Sequence, residues 1–545
     1  MAYDSVHFYM SELGSKVVAK SGISTDRHHL GKLILEALQE DPEFVLQIDG
    51  ATGESENNGS VLNRSVRFAI ALKNLGLQKG DVMILMGRNH LDISIPIYAA
   101  LYTGVTVAAV DNTLGVDELQ HYFGIVTPKL VICETERTEL ILQALSQARL
   151  QCKIITFDKS KQYQTFSKLL NEVDDKSIEE FRATDFDPAD TTAFLTSTSG
   201  TTGTPKAAML THKNLYCGLP YFWVYFTKYP TPTRIFLLLP PCQWIAAGLL
   251  FLSTPIFKFT RVQTSLPISP QHFVHLVNTY KPTSTVASSL LFKSMLSISD
   301  ECDFTCFESI FMGGSIVSED IIDKYKVSEL IKSDNVYRMY GMSEASGIIF
   351  NHDYPPPKGS TGKARGGLEF RLVDNQTKEE IRDANVPGEL WVRGPQVFKG
   401  YYRNPEMTAE TLTEDGWLKT GDILYRDESY HFYFVERCKS LLKYKSYQIA
   451  PAEVEAVIKK HPSVEDVCVT GIPDAECGDL VVACIVRKPG LEVSAQEIKD
   501  LVKESLADSK QLRGGVIFIE KVPVSPNGKI NRRAINEMSL TMKRE

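Results

Sequence analysis

Residues 196–204 read Thr-Ser-Thr-Ser-Gly-Thr-Thr-Gly-Thr, nine consecutive positions drawn from three small residue types. With Ser, Thr and Gly together near ~20% of average composition, chance gives such a run in roughly one chain of this length in several thousand. The run has no apolar side chain to bury, yet Phe194, Leu195, Met209 and Leu210 stand close on both sides of it. A flexible Ser/Thr/Gly linker is normally flanked by polar sequence instead. The run is therefore expected to be a loop held between buried elements. Residues 192–195 (Thr-Ala-Phe-Leu) have strand character, and Thr211 can cap a helix beginning at His212. Small residues let backbone N–H groups and hydroxyls converge on phosphate oxygens, and Lys206 adds a point charge. It is not a Walker A loop: the G-x-x-x-x-G-K-(S/T) spacing fails, because Lys206 follows Pro205 and precedes Ala207.

The rest of the chain repeats the strand–helix alternation. Leu62, Val66, Ala69 and Leu72 follow helical spacing, residues 81–86 (Asp-Val-Met-Ile-Leu-Met) read as a buried strand after the turn Lys79-Gly80, and 105–110 as another. Continuous apolar strands between helices predict parallel sheets covered on both faces. The last hundred residues differ. Pro451 suits a first helical turn, Val454, Val457 and Ile458 form one apolar face, and Ser494 with Glu497 makes a capping box before Ile498, Leu501 and Val502. Strand-like segments at 467–470, 480–486 and 516–520 complete a small α+β domain. The 545 residues exceed one ordinary domain, and 43% hydrophobic content suffices for large cores. The expected architecture is α/β: a large N-terminal domain of layered α/β subdomains (1–436) and a small mobile C-terminal α+β domain (437–545), joined near Lys439.

The 59 basic and 67 acidic side chains give a net charge of −8 without a long basic run, so no nucleic-acid partner is expected. Ten cysteines include no CxxC pair, which favours reduced, buried thiols over a zinc site. The N-terminus lacks the apolar run of a signal peptide, and 93–110 is broken by Pro96 and Gly104, so a helix and a strand are expected there and no transmembrane segment. The last four residues match neither a Ser-Lys-Leu peroxisomal signal nor a retention signal. A cytoplasmic protein, monomeric or weakly homo-oligomeric, is the expectation.

Residues 198–206 match the loop (S/T)-S-G-(S/T)-T-G-x-P-K-G except that Ala207 replaces the last Gly. In this the chain resembles the acyl-adenylate-forming superfamily: acyl-CoA synthetases, 4-coumarate–CoA ligases, beetle luciferases and peptide-synthetase adenylation domains. Further motifs follow in family order. Tyr340-Gly-Met-Ser-Glu344 matches Y-G-x-(S/T)-E, and Phe311-Met-Gly-Gly-Ser315 resembles a Gly-Gly-Ala segment. Gly416-Trp-Leu-Lys-Thr-Gly-Asp422 matches G-W-x-x-T-G-D. Arg437 follows fifteen residues on, preceded by Glu436 where Asp is usual. Residues 436–455 resemble D-R-x-K-x-x-I-K-Y-K-G-Y-Q-(V/I)-A-P-A-E-(L/V)-E, and 523–529 match P-x-x-x-x-G-K. Gly400-Tyr-Tyr-Arg-Asn-Pro-Glu406 also resembles the family.

The resemblance implies ATP, Mg2+ and coenzyme A as cofactor and co-substrates, with a small carboxylic acid as partner. It assigns phosphates to Thr198, Ser199, Gly200, Thr201, Thr202, Gly203 and Lys206, adenine to Gly314, Ser315, Tyr340, Gly341 and Ser343, ribose to Asp422 and Arg437, and the metal to Glu344. Lys529 would stabilise the adenylation transition state, Lys439 would be the hinge, and Lys443 would serve the thioester step. Gln243, Trp244, Ile245, Gly313 and Gly347 would line the acid's pocket. Ser446 stands where the family has Gly, on the segment lining the thiol channel. Gly218 and Gln243 stand where beetle luciferases carry Arg and His. The implied activity is an AMP-forming acid–thiol ligase acting on a medium- or long-chain fatty acid. Two alternatives stay open: an adenylating enzyme with a weak CoA step or luciferin-type oxidation, and a silent nucleotide- or acyl-binding protein.

Overall fold

Val82–Met86 is buried at all five positions, and it pairs in parallel with Thr106–Ala109 on one side and Leu130–Cys133 on the other. A strand apolar on both faces needs cover on both, and the flanking helices supply it. Phe123 of helix Val116–Val126 and Ile141 of helix Thr138–Gln147 pack against Ile84 and Val131 in one core. This computed structural model describes residues 2–21, 29–199, 205–223, 234–288, 291–292, 301–314, 336–351, 357–444, 447–474, 477–524 and 530–545. The chain divides into one compact unit of Met1–Glu369 with Val392–Leu418, and another of Phe370–Trp391 with Lys419–Glu545.

Unit 1 holds two seven-stranded sheets. One runs Gln164–Thr165, Lys153–Thr156, Leu130–Cys133, Val82–Met86, Thr106–Ala109, Thr192–Ser199, Pro205–Thr211. The other runs Val336–Met339, Ser309–Gly313, Ser284–Ala287, Ile235–Leu238, Thr260–Gln263, Val45–Asp49, Ser55–Asn57. Both are parallel except at one edge each. The segment at 93–110 forms helix Ser94–Thr103, ended by Gly104, and then a strand, as its Pro and Gly predict. No helix among the described residues is long and apolar enough to cross a membrane.

The Ser/Thr/Gly run departs from the expected strand–loop–helix unit. Thr192–Ser199 and Pro205–Thr211 pair antiparallel, with Thr198 opposite Lys206, so a second strand and not a helix follows the run. Two features make a second strand here. Ala207, Ala208 and Leu210 are buried, and the far edge of this strand is paired again: Tyr402 donates to the Ala207 carbonyl at 2.8 Å and Met209 to the Gly400 carbonyl at 2.9 Å. The helix still begins at His212, where Thr211 Oγ1 accepts the Asn214 N–H at 3.1 Å.

Unit 2 contains a sheet ordered His431–Arg437, Leu418–Arg426, Gly388–Arg393, Glu369–Val373, Glu380–Ile381. Its second sheet runs Tyr447–Ile449, Leu442–Tyr444, Gly478–Arg487, Val464–Asp474, with Gly515–Phe518 added in parallel to Gly478–Arg487. Helices Pro451–Ile458 and Ala495–Ser505 cover one face of the second sheet through Val454, Ile458, Ile498 and Val502. Ile535, from helix Arg532–Thr541, packs against Cys468, Cys484 and Ile517 on the other. The capping box at Ser494 and Glu497 forms as expected.

Candidate active site

Within unit 1, Glu344 lies in a one-turn helix, Ser343–Ala345, between the antiparallel pair Gly341–Met342 and Gly347–Ile348. The turn is so tight that a Cβ on Gly341 would lie 2.1 Å from the Gly347 carbonyl oxygen, so the motif's glycine is required by backbone approach. Tyr340 precedes it, stacked on Phe350 with ring centroids 5.3 Å apart. Gly313 ends the neighbouring parallel strand opposite Met339, and Gly314 follows. Tyr340, Gly341, Ser343, Glu344, Gly313 and Gly314 therefore gather at the carboxyl ends of two adjacent strands, where α/β folds bind ligands.

The Glu344 carboxylate is buried. Its backbone carbonyl accepts Phe398 N–H at 2.8 Å, and its Oε1 accepts the Tyr401 hydroxyl at 2.9 Å. Among the described residues no other hydrogen bond or ion pair reaches that carboxylate, which leaves Oε2 available. One available carboxylate oxygen fits Mg2+, which is usually held by one or two carboxylates together with substrate phosphates. Burial and the Glu344 charge raise the Tyr401 phenol well above its ordinary pKa, so it stays protonated and donates. Lys206 Nζ lies 5.3 Å from the centroid of the same ring and 2.9 Å from Met407 Sδ. The lysine of the phosphate loop and the candidate metal ligand thus meet at one tyrosine. Thr198 and Ser199 end the first hairpin strand, whereas Gly200, Thr201, Thr202, Gly203 and Ser315 lie outside the described residues.

The residues expected to line the acid's pocket lie on neighbouring elements. Trp244 caps helix Ile245–Phe257, and Leu249 of that helix abuts Gly347, where a Cβ would lie 2.6 Å from Leu249 Cδ1. Gly218 of helix His212–Trp223 faces Ser346, whose carbonyl oxygen would be 3.5 Å from a Cβ there. Gln243 is half-buried beside Cys242, whose thiol donates weakly to Gln243 Oε1 at 3.9 Å. Behind this wall Arg365 lies 3.6 Å from the centroid of the Tyr221 ring. Its guanidinium donates to the Ile348 and Ile349 carbonyls, each at 3.1 Å, and to Gln396 Oε1. Ser346 Oγ donates to the Gln396 carbonyl at 2.8 Å, so the strand after Gly347 is tied down from both sides. Tyr401, Arg365 and Gln396 received no role from sequence. Tyr401 at least carried a signal, in the family-like segment 400–406.

In unit 2, Asp422 and Arg437 are cross-strand partners, with Arg437 Nε 3.0 Å from the buried Asp422 Oδ1. The contact is an ion pair and not a linear hydrogen bond. The strand just before Asp422 is fixed: Thr420 Oγ1 donates to the Leu390 carbonyl at 2.7 Å and Gly421 N–H to Glu389 Oε1 at 3.1 Å. Glu436 is buried. Its Oε1 accepts the Arg437 N–H at 2.9 Å and its Oε2 the Ala452 N–H at 3.2 Å. Arg532 reaches the same acid, with Nη2 3.8 Å from Glu436 Oε2, Nη1 3.5 Å from Glu455 Oε1, and a hydrogen bond to the Val469 carbonyl at 3.1 Å. Burial raises the Glu455 carboxyl above its usual range, and the Arg532 charge opposes that shift. Lys439 lies in the turn Cys438–Ser440 and Lys443 pairs opposite Gln448 in a strand. The side chains of both lysines lie outside the described residues, as do Ser446 and Lys529 entirely.

A mainly parallel α/β body whose glycine-lined strand ends carry a phosphate-type lysine and one available carboxylate is the framework of an adenylate-forming enzyme. Residues 36–402 match the AMP-binding enzyme family and 453–529 its C-terminal domain, and the chain belongs to that family. It is 32% identical to luciferin 4-monooxygenase of Photuris pensylvanica over 494 residues, 88% of each chain. It is 28% identical to 4-coumarate–CoA ligase-like 2 of Arabidopsis thaliana, over 90% of this chain and 88% of that one. Among solved structures, ATP-bound MatB of Rhodopseudomonas palustris shares the fold with a TM-score of 0.83 at 22% identity, covering 94% of this chain and 99% of that one.

Proposed function

We propose that the protein is an acid–CoA ligase. In the first half-reaction a carboxylate oxygen attacks the α-phosphorus of ATP, a P–O bond to pyrophosphate breaks, and an acyl-adenylate forms. In the second the CoA thiol attacks the acyl carbon, AMP leaves, and the thiol proton passes to solvent. The observation that supports this reading most is the Lys206–Tyr401–Glu344 contact chain, in which a cation and a carboxylate contact the same tyrosine. Residues 198–206 would hold the phosphates, Tyr340 the adenine, and Asp422 with Arg437 the ribose. Glu344 would hold Mg2+, which supplies charge neutralisation to the polyphosphate. Lys529 would stabilise charge on the in-line transition state. A bend near Lys439, dividing 1–436 from 437–545, would exchange Lys529 for Lys443 between the two steps.

The apolar convergence of Trp244, Ile245, Leu249 and Gly347 suits an aliphatic or aromatic acid, with a medium- or long-chain fatty acid as the favoured class. Gly218 and Gln243, in place of the Arg and His of beetle luciferases, weigh against luciferin oxidation. One observation favours the alternative of adenylation with a weak thioester step: Ser446 adds a side chain where the family has Gly. The test is pyrophosphate release over fatty, hydroxycinnamic and luciferin-like acids, each with and without CoA. Acid-dependent release with acyl-CoA formation is the expected result, and light emission or release without thioester would refute the ligase reading. Lys529→Ala is expected to abolish ATP–pyrophosphate exchange, and unchanged exchange would refute the enzymatic reading.

A further inference from the structure

We propose that Tyr401 is a positioning residue for adenylation: its hydroxyl fixes the Glu344 carboxylate so that Oε2 alone is presented to the nucleotide-bound cation. The inference rests on the ligase reading and deepens it.

The tyrosine is held more firmly than packing alone requires. Its backbone bridges to Ala208 in the strand leaving the phosphate loop, its N–H donates to Thr408 Oγ1 at 2.9 Å, and the Phe398 ring meets its ring edge-on at 5.0 Å. The same short segment also holds the backbone of Glu344, through the Phe398 N–H at 2.8 Å. Residues 398–401 therefore grip the acid twice, once by main chain and once by side chain. A carboxylate tied at one oxygen keeps one lone-pair direction for a metal and loses the freedom to rotate or to chelate with both oxygens. Groups that orient a metal-ligating carboxylate in this way commonly account for about 10–100-fold in metal affinity or activity.

The ring serves the other charge. Lys206 is the cation expected to reach the polyphosphate, and its ammonium sits over the aromatic face, where the ring quadrupole attracts it.

The test is titration calorimetry of the full-length protein with MgATP and with metal-free ATP, comparing the wild type with Tyr401→Phe, which removes one oxygen and keeps the ring. The expected result is a loss of about 10–100-fold in MgATP affinity in Tyr401→Phe with metal-free ATP affinity unchanged. In turnover assays the KM for MgATP should rise more than kcat falls. Glu344→Gln should remove the wild-type preference for MgATP, and adding Tyr401→Phe to it should cost nothing further. Wild-type affinity for MgATP in Tyr401→Phe, or an equal loss for both forms of ATP, would overturn the assignment while leaving the ligase reading intact. A wild type that binds neither form would overturn the ligase reading and this inference with it.

Discussion

Arg532→Gln is the perturbation whose cost the structure defines best. The guanidinium is the only cation bonded or paired to two acids from separate elements, Glu436 and Glu455, among the described residues of this cluster. It also donates to the Val469 carbonyl at 3.1 Å. Removing one partner of a buried ion pair typically costs about 3–5 kcal/mol, because a charge is left uncompensated. Arg532 is about one-third exposed, at 31%, which reduces that figure to about 2–3 kcal/mol. For a domain of roughly 150–250 residues each kcal/mol moves Tm by about 2–4 °C, so a fall of about 5–10 °C is expected in the calorimetric transition of unit 2. The loss has a signed pH dependence. Glu455 is already raised by burial, and without Arg532 it is raised further. A carboxyl raised in the folded state favours folding below its unfolded pKa, and that advantage fades as pH rises through the folded value. The deficit of Arg532→Gln should therefore be largest near pH 7.5 and shrink toward pH 5. Glu455→Gln, which removes the charge needing compensation, should rescue part of it. An unchanged transition at pH 7.5, or a deficit that grows on acidification, would refute the reasoning.

Three further outcomes are expected. Gly341→Ala should abolish adenylation and lower Tm, because its Cβ would meet the Gly347 carbonyl oxygen at 2.1 Å and neither backbone can yield; full pyrophosphate exchange in that variant would refute it. His212 is fully buried and its pKa is pushed well below the ordinary value, by burial first and by His29 second. A base depressed in this way stabilises the fold above its unfolded pKa, so stability should fall by about 1.4 kcal/mol per pH unit below about pH 6.5, and His212→Phe should flatten that slope in denaturant titrations. Ser446→Gly should raise the rate of acyl-CoA formation relative to pyrophosphate release, measured as the ratio of the two products.

Periodicity and capping chemistry made much of the fold legible. Val82–Met86 and the capping box at Ser494 are local patterns, and each formed where its residues indicate. The hairpin at the phosphate loop was not legible, because an edge strand of Pro205–Thr211 depends on segment 399–402, nearly two hundred residues away. The site shows the same divide. Glu344, Asp422 and Arg437 announce themselves through short motifs, whereas Tyr401 acquires its role only by reaching an acid 57 positions earlier. Arg365 is in the same position. A guanidinium that donates to the carbonyls of Ile348 and Ile349 leaves no mark in the spacing of side chains, since main-chain oxygens carry no residue identity.

The route of the chain through its two units also sets an order of events during synthesis. It leaves unit 1 after Glu369, returns at Val392, and leaves for good after Leu418. Unit 1 therefore cannot complete itself until Leu418 has emerged, and the returning stretch brings Tyr401 and the segment 399–402 that bonds the outer edge of Pro205–Thr211. At ~5–20 residues per second the stretch up to Leu418 takes roughly 20–80 s to make. By then Phe370–Trp391 has been made but still lacks the strands His431–Arg437 and most of Leu418–Arg426. The nascent protein thus passes through an interval with a nearly finished nucleotide-binding body and an unpaired sheet edge. An unpaired strand edge of this kind is open to pairing with another chain until residues 419–437 are made.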